Sequence, residues 1–147
     1  MSEVEAETHF QRGLKALDEG RSLSALPCFE KAYEMGKKPA YSSYFGFCIA
    51  KERGQVQKGT LLCREALEKE PENGVHYLNL GRVLLVAGNK EEALGTFRKG
   101  LGHGPNESIM CLLDSIGRRS RPPIPYLDRD NPINKYLGIV LGKLGLR

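Results

Sequence analysis

The chain has 147 residues, of which 40% are hydrophobic, and its formal net charge is +4. This is the length of one ordinary domain. It has no run of about 18 apolar residues, as a membrane-spanning helix needs, and its acidic start lacks the regions of a secretion signal. Four cysteines without a CxxC pair favour reduced thiols over disulfides or metal binding, so we predict a cytoplasmic protein.

Charge is distributed unevenly along the chain. Residues 117–147 carry seven basic and two acidic side chains, a net charge of +5. Of the 22 basic and 18 acidic side chains in the whole chain, this leaves 15 and 16 for the rest, a net charge of −1. A nearly neutral body is therefore followed by a basic C-terminal tail.

The first predicted helix covers residues 6–19, after a disordered N-terminus of residues 1–5. Phe10, Leu14 and Leu17 recur at the spacing of one helical face. The glycine that follows tolerates a left-handed conformation and is predicted to end the helix. These residues predict the first helix of an amphipathic pair.

The second predicted helix begins at a serine cap, between Ser22 and Ser24, and ends near Met35. If Ser24 is the cap, Pro27 lies in the first turn of the helix. A proline in that turn removes no helical hydrogen bond, so we expect Pro27 to be tolerated there.

Aromatic side chains dominate residues 40–50, and this short segment would also be compatible with a strand. The periodicity of the whole chain favours a helix instead. Gly54 is expected to turn the chain, and residues 56–69 are predicted to form the next helix.

A pattern of small and apolar residues recurs every 34 residues, as in the glycines at positions 20, 54 and 88. Three further sets lie in register: Ala25, Gly59 and Ala93; Phe29, Cys63 and Phe97; Ala32, Ala66 and Gly100. A fixed period in this range is typical of stacked repeat proteins. The small residues would let paired helices cross closely. The second repeat, with Gly59 and Cys63, is the least regular of the three.

The third repeat resembles a tetratricopeptide repeat. The residues that match the motif of that family are Tyr77, Leu80, Gly81, Leu84, Gly88, Ala93, Phe97 and Pro105. The resemblance implies an all-α fold, a right-handed superhelical solenoid of antiparallel helix pairs. It places the repeats at residues 6–39, 40–73 and 74–107.

A seventh helix, at residues 108–119, is predicted to cap the solenoid, with Asn106 or Ser108 at its N-terminus. Residues 120–147 then form a proline-rich basic tail that ends in an amphipathic helix, which begins near Pro132. The tail residues predicted to dock on another surface are Ile124, Tyr126, Leu127, Ile133, Leu137, Val140 and Leu144.

The resemblance also implies that the first helix of each pair lines a concave groove for an extended peptide or a helix. The positions that project into this groove are Phe10, Leu14, Tyr41, Tyr44, Phe45, Cys48, Lys51, Leu78, Asn79 and Arg82. Some members of the family clamp a C-terminal carboxylate with several Lys and Asn residues. Only Asn79 and Arg82 suit that role here, so we do not expect it. The alternative is that the aromatic residues pack between the repeats.

No catalytic constellation is recognisable. His9, His76 and His103 are isolated in the sequence, and the glycine-rich residues 100–104 follow a helix rather than a strand. We therefore expect no enzymatic activity, no cofactor and no metal ion.

The predicted function is that of a non-catalytic scaffold for protein–protein interaction. Its groove would hold another protein or the chain's own tail, docked within one chain or swapped in a homodimer. The alternative is attachment to an anionic membrane surface or to nucleic acid through the basic tail. Nucleic acid is disfavoured, because basic and aromatic residues are not interleaved there.

Overall fold

A computed structural model describes residues 2–119 of the chain. This part is entirely helical, which confirms the predicted fold class. The helices are α1 (Ser2–Asp18), α2 (Ser22–Met35), α3 (Pro39–Arg53), α4 (Val56–Lys69), α5 (Gly74–Val86), α6 (Lys90–Gly102) and α7 (Glu107–Arg119). The chain divides into two compact units between Gly104 and Pro105. The first contains α1–α6 as three helical hairpins, and the second contains α7.

The turn inside each hairpin is a glycine in the left-handed conformation. Gly20, Gly54 and Gly88 have φ angles of 77°, 68° and 83°, a region that other residues rarely adopt. The residue after the glycine donates its backbone N–H into the preceding helix, as from Arg21 to Ala16 and from Asn89 to Leu84. These hydrogen bonds use carbonyl groups that the helix end leaves unpaired. The predicted glycine turns are confirmed.

Two helix starts differ from the prediction. Helix α1 begins at Ser2, so residues 2–5 are helical rather than disordered. Glu3 and Glu5 lie in its first turn, where negative charge stabilises the helix dipole. In the second unit, α7 begins at Glu107, and the Asn106 side chain accepts a hydrogen bond from the Ile109 N–H.

The expected serine cap of α2 is wrong. The helix already begins at Ser22, and its Oγ donates a 2.6 Å hydrogen bond to Glu52 of α3 rather than capping α2. Pro27 is therefore the sixth residue of the helix and lies beyond the first turn. Because proline has no N–H, α2 lacks one internal hydrogen bond at that point.

The paired helices cross at glycines, but not in the same way in every repeat. In the first and third hairpins a phenylalanine ring lies on a glycine, Phe29 on Gly13 and Phe97 on Gly81, and a Cβ at either glycine would overlap the ring. The second hairpin has Gly46 opposite Gly59. A Cβ on either would lie 2.5–2.7 Å from the carbonyl oxygen of the other.

The second hairpin is therefore closely packed, although its repeat motif is the least regular. Cys63 is smaller than the phenylalanine of the other two repeats, and α3 and α4 approach backbone to backbone in the space that this leaves. Apart from the exposed glycines of the turns, the in-register columns are buried, and Phe29, Cys63 and Phe97 have no exposed surface. None of the helices in the described part of the chain is both long enough and apolar enough to cross a membrane.

Candidate protein-interaction site

The first helices of the three hairpins meet around Tyr44. Its ring lies 5.5 Å from that of Phe10 in α1 and stacks at 5.2 Å on that of Phe29 in α2. The pKa of Tyr44 is raised by burial, and both Arg82 of α5 and Asp18 of α1 act electrostatically on it. Because Leu14 lies between Phe10 and Asp18 at helical spacing, these side chains share one side of the first unit. We call it the α1–α3–α5 face.

Several predicted groove residues are buried beneath this face. Phe10 is 8% exposed and Tyr41 only 2% exposed, and their rings lie 5.0 Å apart. Cys48, Leu78 and Asn79 are also buried. These five residues therefore have the positions that the alternative interpretation, packing between the repeats, predicts.

Phe45 lies on the other side of α3. Its ring is 5.4 Å from that of Tyr33 in α2, and the Lys58 Nζ of α4 lies 5.7 Å from its centre. Successive residues of a helix point about 100° apart. Phe45 therefore faces α2 and α4 while its neighbour Tyr44 faces α1 and α5.

The predicted residues that remain accessible are few. Leu14, Tyr44 and Arg82 are half-buried, and Lys51 is exposed near the end of α3. Cys48 is fully buried, which raises the pKa of its thiol to about 12 and leaves it protonated at neutral pH.

Arg82 is the polar centre of the face. Its guanidinium carbon lies 4.8 Å from the centre of the Phe47 ring, and its Nη1 donates a 3.3 Å hydrogen bond to Asn79 Oδ1. Burial lowers the pKa of Arg82, while the nearby Asp18 carboxylate acts in the opposite direction. Within residues 2–119, none of the ion pairs closer than 4.0 Å involves this guanidinium. Phe47, which supports it, was not predicted as a site residue.

A second polar group, anchored by a tyrosine, lies where α1 meets α3. The Tyr41 hydroxyl donates a 2.7 Å hydrogen bond to Glu7 Oε2, and Lys38 Nζ lies 3.4 Å from the same oxygen. Hydrogen bonds from Gln11 and Tyr41 lower the pKa of Glu7. Burial, together with this carboxylate, raises the pKa of Tyr41 to about 12.

A third polar group links α3 to α5 beneath the face. Asn79 Nδ2 donates to Ser43 Oγ at 3.1 Å, and Ser43 Oγ lies 2.9 Å from His76 Nδ1. His76 Nε2 is 2.7 Å from Glu70 Oε1, and this hydrogen bond lowers the pKa of Glu70. No buried side-chain nitrogen or oxygen of the described residues lacks a partner.

This group was not predicted, because His76 is isolated in the sequence. Ser43 and His76 lie 33 residues apart, close to one repeat length. In a stacked repeat this separation brings the first helices of successive hairpins together. Polar residues one period apart were the signal that could have identified the pair.

The predicted tail residues lie outside the described part of the chain. They are Ile124, Tyr126, Leu127, Ile133, Leu137, Val140 and Leu144. In the part that the structure describes, no cluster of His, Cys, Asp and Glu side chains has the arrangement of a metal site.

The helical hairpins and their glycine turns define a helical repeat protein, and comparison with known proteins shows which repeat families parts of the chain resemble. A sequence model of the tetratricopeptide repeat matches residues 62–95, from within α4 through α5 into α6. A putative pentatricopeptide repeat-containing protein of Arabidopsis thaliana is 33% identical over 78 residues. That match covers 48% of this chain and 18% of the length of the Arabidopsis protein. Residues 62–95 are thus similar to a tetratricopeptide repeat.

Proposed function

We propose that the chain is a non-catalytic interaction module whose α1–α3–α5 face binds a segment of another protein. The segment would carry apolar side chains and one carboxylate, either as an acidic side chain or as a C-terminus. The proposal rests chiefly on Arg82, a half-buried cation that has no acidic partner within 4.0 Å among the described residues.

Removing a charge from water costs free energy unless another charge or hydrogen bonds replace the water. Arg82 has five N–H donors, of which one is directed at Asn79. Phe47 and Asn79 hold the guanidinium in one place. A carboxylate could therefore pair with it through two parallel hydrogen bonds at little entropic cost.

The surroundings of Arg82 favour apolar neighbours for that carboxylate. Leu14 and Tyr44 each present part of an apolar surface on the same face. Lys51, exposed near the end of α3, would add a second and weaker attraction for acidic ligands. The expected ligand thus has an acidic group flanked by leucine-like or aromatic residues.

Peptide display on phage tests this proposal. Peptides would be selected on the immobilised full chain, and their dissociation constants measured for the natural chain and for Arg82→Glu. We expect the selected peptides to share an acidic residue. Arg82→Glu should weaken their binding on the order of a hundredfold, as for loss of a desolvated ion pair.

The matched control is Arg98→Glu, which makes the same charge reversal on the exposed side of α6. It should leave the affinity nearly unchanged. Failure to select any peptide, or equal weakening by both variants, would contradict the proposed site.

The tail at residues 120–147 is proposed as a competitor for the same face. Because it is covalently attached, its effective concentration would be high. A chain that ends at residue 119 should then bind the selected peptides more tightly than the full chain. Equal affinity would exclude competition by the tail and leave the external ligand unaffected.

A further inference from the structure

A continuous chain of side-chain hydrogen bonds connects Arg82 with the connection between α4 and α5. It runs from Arg82 to Asn79, Ser43, His76 and finally Glu70, over distances of 3.3, 3.1, 2.9 and 2.7 Å. The three middle residues have no exposed surface. Arg82 lies on the α1–α3–α5 face, whereas the Glu70 side chain is 45% exposed at the other end.

The two ends determine the direction of most of these hydrogen bonds. Arg82 can only donate, so Asn79 turns Oδ1 toward it and directs Nδ2 at Ser43. An ionised Glu70 can only accept, so His76 Nε2 carries a proton. The position of one proton is left open, the one between Ser43 Oγ and His76 Nδ1.

The charge state of His76 decides where that proton lies. In neutral His76, Nδ1 accepts from the Ser43 hydroxyl, and Ser43 in turn accepts from Asn79. In charged His76, Nδ1–H donates to Ser43 Oγ, and the hydroxyl proton must turn to the Ala40 carbonyl at 3.5 Å. Ser43 Oγ then accepts from both His76 and Asn79. The hydrogen bond from Asn79 is weakened, because Ser43 no longer donates to His76 and the bonds of the chain no longer polarise one another in one direction.

We propose that Ser43 and His76 are positioning residues for Arg82 and that protonation of His76 loosens the guanidinium. The consequence for binding rests on the proposed function of the face. A partner segment held by Arg82 would bind more weakly where His76 is charged. The module would therefore release its ligand on acidification.

The other charged and titratable groups near His76 do not account for a coupling between His76 and Arg82. Glu70 is the carboxylate bonded to it, and its lowered pKa keeps it ionised over the range in which histidine normally titrates. Helix α4 contributes Cys63, whose Sγ donates to the Ser43 carbonyl, and Lys69, which pairs with Glu65.

The two helices that carry the chain of hydrogen bonds, α3 and α5, add few titratable groups. Up to residue 50, α3 contains no charged side chain, and its titratable groups there are Tyr41, Tyr44 and Cys48. On α5, Tyr77 donates to the Pro71 carbonyl, and the one charged side chain is Arg82 itself.

Nuclear magnetic resonance on the full chain tests the coupling without any ligand. The ring resonances of His76 and the Nε resonance of Arg82, detected through Cζ, would be followed as the pH is lowered from neutral. We expect both to shift with the same midpoint. The Nε resonance of Arg98 on α6 is the internal control and should show no such step.

Ser43→Ala removes the hydroxyl that links Asn79 to His76, and the pH-dependent shift of the Arg82 resonance should disappear. Ser43→Thr keeps a hydroxyl at this position and should keep that shift. If Ser43→Ala does not fold, the comparison of Arg82 with Arg98 in the natural chain still decides. An Arg82 resonance that stays constant while His76 titrates would overturn the proposal. A pH-dependent shift of the Arg82 resonance that persists in a folded Ser43→Ala variant would also overturn it.

Affinity for a phage-selected peptide separates this proposal from the proposed function. We expect Ser43→Ala to bind about tenfold more weakly at neutral pH and to lose the pH dependence of the natural chain. Peptide binding with unchanged pH dependence in Ser43→Ala would overturn the positioning role and leave the face intact. If no peptide binds, the proposed function fails, and the resonance measurement still decides the coupling.

Discussion

The two junctions between successive repeats are built from different side chains. At the first junction, α1 and α2 meet α3 through a cluster of rings in which Phe10 lies 5.0–5.7 Å from three others. At the second, α3 meets α5 through Ser43, His76 and Asn79, which are fully buried and hydrogen-bonded. The first junction thus contains an aromatic cluster and the second a buried polar network.

Because the two junctions differ in this way, we expect them to differ in what they contribute, one to the stability of the protein and the other to the orientation of side chains. Aromatic packing is strong and tolerates small changes in geometry, because it depends mainly on buried area. A buried polar network contributes less net free energy but tolerates only one arrangement of donors and acceptors. We infer that the first junction mainly stabilises the protein, whereas the second mainly positions Arg82.

The largest expected effect is at the first junction. Phe10→Ala removes a ring that contacts Phe29, Tyr41 and Tyr44. It should lower the free energy of unfolding by about 3–5 kcal/mol, measured by urea denaturation. Leu61→Ala, at a side chain that is 69% exposed on α4, is the control and should change it by less than about 0.5 kcal/mol. Similar losses in both variants would refute the assignment of stability to this junction.

The hairpin shared by both junctions gives the next effect. A Cβ on Gly59 would lie 2.5 Å from the Gly46 carbonyl oxygen, so Gly59→Ala must separate α3 from α4. We expect a loss of about 1–3 kcal/mol. At Gly95 of α6 nothing lies within 4 Å of an added Cβ, so Gly95→Ala should instead stabilise by about 0.5–1 kcal/mol. Thermal unfolding of the two variants distinguishes them by sign.

At the second junction we expect a moderate loss of stability from each substitution, and we expect the effects of the two substitutions to be coupled. His76→Leu removes one hydrogen bond from Ser43 and one from Glu70 and should cost about 1–3 kcal/mol. Ser43→Ala should cost a similar amount, but the double variant should lose less than the sum of the two. Strictly additive losses in urea denaturation would mean that the two residues do not act as a unit.

Alkaline pH should weaken the first junction selectively. The pKa of Tyr41 is raised from 10.0 to about 12 by burial and by Glu7. Its contribution is therefore fully present below pH 10 and is lost as the pH rises through about 12. Tyr41→Phe should be less stable than the natural chain by about 1 kcal/mol at neutral pH. That deficit should vanish in this alkaline range, whereas the deficit of His76→Leu should persist.

The smallest effect concerns Glu70 at the second junction. Its pKa is lowered below 4.5, first of all by the hydrogen bond from His76. Its contribution is present above that pH and is lost as the pH falls through the lowered pKa. Because the side chain is 45% exposed, Glu70→Gln should cost only about 0.5 kcal/mol at neutral pH. A deficit that stays constant from neutral to acidic pH would show that the carboxylate charge plays no part.

Prediction from sequence was most accurate where structure is local or periodic. The glycine turns and the bounds of α4 follow from residues close together in the chain and from their recurrence. The cap of α2 failed because Ser22 bonds to Glu52 of another helix, which no local signal indicates. Among the predicted groove residues, Tyr44 and Arg82 lie together on the α1–α3–α5 face, but Phe45 faces the other side of α3.

The sequence by itself determined the helical class, the 34-residue repeat and the buried columns, because these depend on backbone preference and on the spacing of small and apolar residues. Only the tertiary structure decided which residues of neighbouring helices meet. It brought Gly46 against Gly59 and Ser43 against His76, since one residue of helical rotation moves a side chain by about 100° to a different neighbour. The position of Arg82 over Phe47 depends on that rotation, and so does the face that we propose as the binding site.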